Sequence, residues 1–348
     1  KNAETKKEVT RTINYVDESG AKLTYTDNGT ETTESKTDKV TFTREAKINV
    51  VTGEITYGEW TAKDNDRTFD AVTSPVVKGY ILKSNQDTQG GLVSADGTSV
   101  VASENLTATS ANQNVNVVYT KLGSWVITPP TGVTPPEGTD MTPKPYPNNP
   151  TDPTKPGTPV YPEPGQPITP GTPVIPYIPG YTPKIGDKPL EPVNPNNPES
   201  GYKVPPVPET PGNDTPITYE ANPQKALVKV VNVKGEGENK TETPLTDDYV
   251  NINGKTGDQI PTESVTAKIA ELEKRGYVID NRDEVVNYIN NKFDKEKDTE
   301  GQDPTQNTTL KVHEKLVPVT PPTPEKPLEP GQPIDPDTPV DPNNPNDP

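Results

Sequence analysis

Four aromatic residues have the side chains best suited to holding a ligand. Tyr57, Trp60, Tyr80 and Trp125 each present an apolar ring face with a polar edge, the combination that stacks on sugar rings. Aromatic residues make up only 5% of the chain, so a β domain also needs them in its core, and a structural role is favoured for Trp60 and Tyr80. For Trp125 the balance is even between ligand contact and stapling the proline-rich stretch after it onto a sheet. His313, the single histidine, sits beside Glu314 and Lys315 in an alternating stretch and reads as a solvent-facing strand residue without a second histidine to share a metal. Asp64-Asn65-Asp66 and residues 294–298, which begin at Asp294 and end at Asp298, offer oxygen ligands for calcium. Neither has the spaced glycine and terminal glutamate of an EF-hand, so both read as solvated loops. The absence of cysteine removes thiol catalysis, disulfides and thiolate metal sites together. There is no phosphate loop, nucleophile elbow or dinucleotide fingerprint. The reading is a chain that is not an enzyme, with no catalytic residue, cofactor or metal, and with its ligand-binding residues unassigned. Sequons at Asn28, Asn105, Asn213, Asn239 and Asn307 are expected by chance in so threonine-rich a chain and matter only in a eukaryotic secretory host.

The elements that position these residues are set out by proline. Of 45 prolines among 348 residues, residues 1–128 hold one, residues 129–223 hold 29, residues 224–317 hold three and residues 318–348 hold twelve. This predicts a domain over 1–128, a linker over 129–223, a second domain over 224–317 and a second linker over 318–348. In polyproline II the first linker would reach on the order of 290 Å. Parts of it are expected to dock, namely Ile178-Pro179-Gly180-Tyr181-Thr182-Pro183 and the stretch from Gly201-Tyr202 to Tyr219. The first linker's Glu163-to-Val174 segment recurs as Glu329 to Val340, identical at ten of twelve positions, which marks a repeat array. The net charge of -17 disfavours nucleic-acid backbone, and no apolar run is long enough to insert in a membrane.

Period-two alternation runs through residues 8–120, as where Thr10, Thr12 and Asn14 oppose Arg11, Ile13 and Tyr15, and predicts half-buried strands broken by turns at Gly20, Gly29, Gly53 and Gly97. In the second domain, residues 226–233 and 249–253 read as strands. Thr262 caps a helix with Val265, Ile269 and Leu272 on one face and Gly276 as terminator, followed by a strand at Tyr277-Val278-Ile279, a short helix over 283–293 and a closing strand near Leu310 and Val312. The fold class is therefore mainly β and α+β, in two separate modules joined by an extended proline-rich linker.

The ordered set Val9-Thr10-Arg11-Thr12-Ile13-Asn14-Tyr15-Val16-Asp17, Val40-Thr41-Phe42-Thr43-Arg44, Val51-Thr52-Gly53-Glu54, Trp60, Ser74-Pro75-Val76-Val77-Lys78-Gly79-Tyr80 and Val118-Tyr119 resembles the mucus-binding, Mub-type and MucBP-related repeats of lactobacillus surface adhesins. Gln224-Lys225-Ala226, Gly257, Ile269 with Leu272, Gly276-Tyr277, Phe293-Asp294 and Val312-His313 resemble the other sub-domain of the same repeat. The resemblance implies a ubiquitin-like β-grasp fold for the second domain and a β-grasp-related fold for the first. It also implies a Gram-positive cell-surface adhesin, anchored to the cell wall through a signal outside this segment, that is monomeric within a tandem array and binds host mucin glycans by many weak contacts. Two alternatives stay open: a passive spacer of a surface stalk, and an immunoglobulin-binding module that uses exposed sheet edges. The family places the β-grasp piece first; the order here is reversed, as in a segment cut out of register with the repeat.

Overall fold

Alternation over twelve residues builds the longest strand of the first sheet. In the computed structural model, which describes residues 2–320, β1 spans Lys6–Asp17, with Val9, Arg11, Ile13 and Tyr15 buried on one face and Thr10, Thr12 and Asn14 half-buried on the other. It pairs antiparallel with β2 (Lys36–Thr43), while β3 (Thr61–Ala62), β4 (Tyr80–Leu82) and β5 (Gln113–Lys121) complete a sheet in the order β3-β2-β1-β5-β4. The β1–β5 pairing is parallel and runs from Arg11 opposite Gln113 to Asp17 opposite Tyr119. The inner face packs Ile13, Tyr15, Val115, Val117 and Tyr119 against Leu23, Tyr25, Val77, Val93 and Val100 from the connections. Tyr15 lies edge-on to Tyr25 at 4.9 Å and to Tyr119 at 6.2 Å, contacts that contribute about 0.5–1.5 kcal/mol each beyond their burial.

The expectation of an extended spacer over residues 129–223 needs correction, because this stretch is packed structure. β6 (Ser124–Ile127), β7 (Lys144–Pro145), β8 (Tyr181–Ile185), β9 (Lys188–Pro189) and β10 (Thr215–Ala221) form a sheet in the order β7-β6-β10-β8-β9. The boundary expected at residue 128 therefore falls just past β6, which pairs in parallel with β10. Trp125, Ile127, Tyr146, Ile175, Leu190, Tyr202 and Ile217 form a core of their own.

Proline deprives a segment of ladder donors while leaving its carbonyls as acceptors. Here aromatic side chains supply the missing donors. Trp125 Nε1 donates to Pro205 O at 3.0 Å, Tyr161 Oη to Pro173 O at 2.8 Å, Tyr219 Oη to Pro176 O at 2.6 Å and Tyr146 Oη to Asn213 O at 2.7 Å. The outermost strands β7 and β9 both contain proline, as sheet edges tolerate. Most of the second linker expected over 318–348 lies outside the described residues.

The chain divides into two compact units, residues 1–178 with 182–220, and residues 179–181 with 221 onward. In the second unit β11 (Pro223–Lys234) is central. It pairs antiparallel with β12 (Thr241–Pro244) and β13 (Val250–Lys255), and in parallel with β15 (Gln306–Glu314), beyond which lies β14 (Tyr277–Ile279). α1 (Glu263–Lys274) buries Val265, Ile269 and Leu272, as their spacing dictates, and α2 (Arg282–Ile289) buries Val285 and Ile289. Thr262 stands at the N-cap of α1, but its side chain makes no capping bond; the first turn is closed through its carbonyl, which accepts from Val265 and Thr266 N–H. Among the described residues no helix is long and apolar enough to cross a membrane.

Candidate functional site

The outward face of β1 and β5 is a polar depression of about 550 Å³. It exists because two alternating strands run in parallel register: Thr12 lies opposite Asn114 and Asn14 opposite Asn116, so their outward side chains share one surface. Asn14 is its hub. Its Nδ2 donates to Asn114 Oδ1 at 2.8 Å and to Asn116 Oδ1 at 2.9 Å, while its Oδ1 accepts from Ser35 Oγ. These bonds turn the carboxamides of Asn114 and Asn116 so that their NH2 groups remain available to a ligand. Thr10 N–H binds Asn112 Oδ1 at 2.9 Å and fixes the lower end of the face. Gln89 holds β5 from the flank, donating Nε2 to Asn116 O at 2.7 Å and accepting Asn116 N–H at 3.1 Å.

Around the depression are hydroxyl and carboxamide groups together with Lys22, and none of its lining residues is acidic. Such a surface offers neutral donors and acceptors side by side, which is what a sugar's hydroxyls require. None of these residues was singled out above as a ligand contact; Thr10, Thr12 and Asn14 were named only for their strand alternation and within the family-like series. The signal was the asparagine at every second position through Asn112, Asn114 and Asn116, and it acquires meaning only when β1 is placed beside it.

The opposite environment lies on the other side of β1. Arg11 is buried, donates Nη2 to Asp70 O at 2.7 Å, stands 3.8 Å from Asp38 and lies over the Phe69 ring at 5.1 Å. Burial pushes its pKa down, opposed by the charges of Asp38 and Asp70. A second depression, of about 460 Å³, opens here beside Asp27, Glu34, Asp38 and Asp70, carboxylates that disfavour an anionic ligand.

The aromatic candidates are dispersed by the fold. Arg44 lies 3.6 Å from the Tyr57 ring and 4.3 Å from the Trp60 ring, so a guanidinium covers a face of each. Trp60 also packs against the Val9, Val40, Phe42 and Phe69 cluster, Tyr80 packs against the main core, and Trp125 is fully buried. His313 is half-exposed, with Nδ1 at 2.6 Å from Asp280 Oδ1. Asp64 and Asn65 adopt positive φ in a tight turn, and Asp298 is occupied in closing its loop, accepting Lys225 N–H at 3.0 Å and Thr305 N–H at 2.8 Å.

Residues 1–123 match the family described as the Muc B2-like domain. Among solved structures, the mucin-binding domain of a Streptococcus pneumoniae protein is 29% identical over 34% of this chain and 92% of its own, with a TM-score of 0.23. The MucBP domain of the adhesion protein from Pediococcus pentosaceus is 32% identical over 33% of this chain and 97% of its own, with a TM-score of 0.23. The type 2 repeat of the mucus binding protein MUB from Lactobacillus reuteri is 24% identical over 34% of this chain and 51% of its own, with a TM-score of 0.22. No curated protein matches the chain.

Proposed function

The chain belongs, through residues 1–123, to the Muc B2-like domain family, and from that premise we propose that it is a non-enzymatic, mucus-binding repeat of a bacterial surface adhesin whose β1–β5 outer face holds mucin glycans. One observation carries the assignment of the face: in a chain of net charge -17, the residues lining this depression include no acid. Mucin glycans are anionic through sialate and sulfate, so long-range attraction works against the chain as a whole and contact rests on short hydrogen bonds. Each face contributes weakly, and repetition along a cell-wall-anchored array raises avidity through effective concentration. The β-grasp reading of both sheets accompanies this proposal; it is supported in the second unit by the order strand, strand, helix, strand around a parallel central pair.

The test uses the whole chain, immobilised, with mucin, deglycosylated mucin and immunoglobulin passed over it. Mucin alone is expected to bind, with little loss at roughly 0.5 M salt, where charge attraction is screened. Replacing Asn114 and Asn116 together by alanine removes exposed groups without touching the core and is expected to weaken binding about tenfold or more. Full binding by that variant would overturn the choice of face, and binding to none of the three ligands would favour a passive spacer.

A further inference from the structure

The segment after β2 carries a pattern that the fold leaves unused. Ala46–Ile48 and Ile55–Tyr57 pair antiparallel as a two-stranded ribbon, with Ala46 opposite Tyr57 and Ile48 opposite Ile55. Directly opposed residues share a face and side chains alternate along each strand, so Ala46, Ile48, Ile55 and Tyr57 form an apolar face and Lys47 and Thr56 a polar one. Such alternation ordinarily marks a half-buried strand. Here much of the apolar side stays in solvent. Ile48 is 59% exposed and Tyr57 42%, and the valines of the turn, Val50 and Val51, are 90% and 89% exposed; Ala46 and Ile55 are half-buried. None of the six belongs to a core cluster among the described residues. By contrast, the ribbon of Tyr25–Asp27 and Thr30–Thr32 sends its Tyr25 into the first core.

The patch is neither scattered nor loose. Of the nine large apolar side chains exposed among the described residues, four fall within residues 48–57, whereas single exposed apolar residues are ordinary surface. The turn that carries the valines is closed by its own hydrogen bonds. Gly53, at φ 72°, donates its N–H to Asn49 O at 2.7 Å, Asn49 N–H donates to Glu54 O at 2.8 Å, and Asn49 Oδ1 accepts the N–H groups of Val51 and Thr52 at 2.9 and 3.2 Å. At the base, Arg44 lies over the Tyr57 ring at 3.6 Å and donates Nε to Glu4 O at 2.8 Å. A tip held this way has little conformational freedom left to lose on contact.

Charge and area point to a second copy of the chain as the occupant. Residues 44–57 hold two cations, Arg44 and Lys47, and two anions, Glu45 and Glu54, so the ribbon is neutral in a chain of net charge -17. Two copies repel as wholes, but two ribbons meet without like-charge repulsion of their own. Burying the four exposed side chains from each copy removes on the order of 1,000 Å² in total, the small end of specific interfaces and the size of a weak dimer. An apolar face of this kind is complementary to itself about a two-fold axis. We propose that residues 46–57 form the contact between two copies of this chain, apolar face against apolar face, with Ile48, Val50 and Val51 of each copy packed on the other. The contact shares no residue with the β1–β5 outer depression, so each dimer carries two such depressions. A weak dimer thus replaces the monomer that the family resemblance implies.

Sedimentation equilibrium of the whole chain from about 10 μM to about 1 mM tests the contact, with an expected dissociation constant on the order of 100 μM. The dimer should tighten at roughly 0.5 M salt, as repulsion between two chains of charge -17 is screened. Replacing Val50 and Val51 together by serine changes two exposed turn residues and is expected to weaken the dimer about tenfold or more. Val160→Ser, at an apolar position 80% exposed outside the ribbon, and the joint replacement of Asn114 and Asn116 by alanine should leave it unchanged. A chain that stays monomeric throughout this range overturns the proposal, including one whose ribbon instead binds phosphatidylcholine vesicles. So does a dimer that the double serine variant keeps at full strength, since that places the contact on another surface.

Discussion

β1 runs parallel to β5 from Arg11 opposite Gln113 to Asp17 opposite Tyr119, and β11 runs parallel to β15 from Ala226 opposite Gln306 to Asn232 opposite Val312. The central ladders match pair for pair, yet the two cores are closed by different means. Over the second sheet lies α1, whose Val265, Ile269 and Leu272 join the core and whose end satisfies Gly276 N–H from within. Over the first sheet, Leu23, Tyr25, Val93 and Val100 come from loops and short ribbons, and Gly79 N–H is met by Asn148, far along the chain. A helix brings most of its own hydrogen bonds to a core, whereas loops must borrow theirs.

The largest break in this comparison is expected from Leu272→Ala, which empties a fully buried position under α1 and costs about 3 kcal/mol. The helical circular-dichroism transition should move to lower denaturant while the fluorescence transition of Trp60 and Trp125, which reports the first unit, stays in place. An unmoved helical transition would mean that α1 is not what closes the second core. The counterpart in the first unit is Asn148→Ala. It removes three hydrogen bonds, to Gly79 N–H, Val77 O and Tyr80 O, for an expected loss of about 2 kcal/mol in the tryptophan transition. Gly79→Ala and Gly276→Ala should each cost about 1 kcal/mol, by similar amounts, because both glycines hold positive φ at the same point of the ladder. Unequal losses would show that the two edges are not equivalent.

The smallest effect concerns charge. Arg275 Nη1 and Nη2 donate to the two oxygens of Asp248 at 2.6 and 3.2 Å, with Lys268 at 3.4 Å, and these partners hold the Asp248 carboxyl below its ordinary range despite some burial. A lowered folded-state value means that the pair stabilises the fold above the unfolded carboxylate's pKa of about 3.9 and that this contribution is lost as pH falls through the folded value. Asp248→Asn should therefore cost about 0.5–1 kcal/mol near pH 7, screened because Arg275 is partly exposed, and progressively less as pH falls below about 3.9. A cost independent of pH in the helical transition would assign Asp248 a packing role instead.

α1 was legible because Val265, Ile269 and Leu272 mark one helical face and Gly276 ends it, and β1 because its apolar positions alternate; both patterns are local consequences of backbone geometry. The proline-rich stretch was misread for an equally physical reason. Proline density correctly signals missing backbone donors, but the replacements come from Trp125, Tyr146, Tyr161 and Tyr219, each acting on a carbonyl between 12 and 80 residues away along the chain. No window of neighbouring residues contains that pairing.

The amino-acid order on its own determined the main strands and the helices of the two proline-poor stretches, the lack of thiol chemistry and the strongly acidic field, since these depend on periodicity and composition. Tertiary structure alone decided that Asn14 stands between Asn114 and Asn116, that Arg44 covers Tyr57 and Trp60, and that Asn148 secures the edge of β4. Each of these contacts depends on which strand or loop lies alongside which, and that is fixed only when distant parts of the chain bury their apolar faces together.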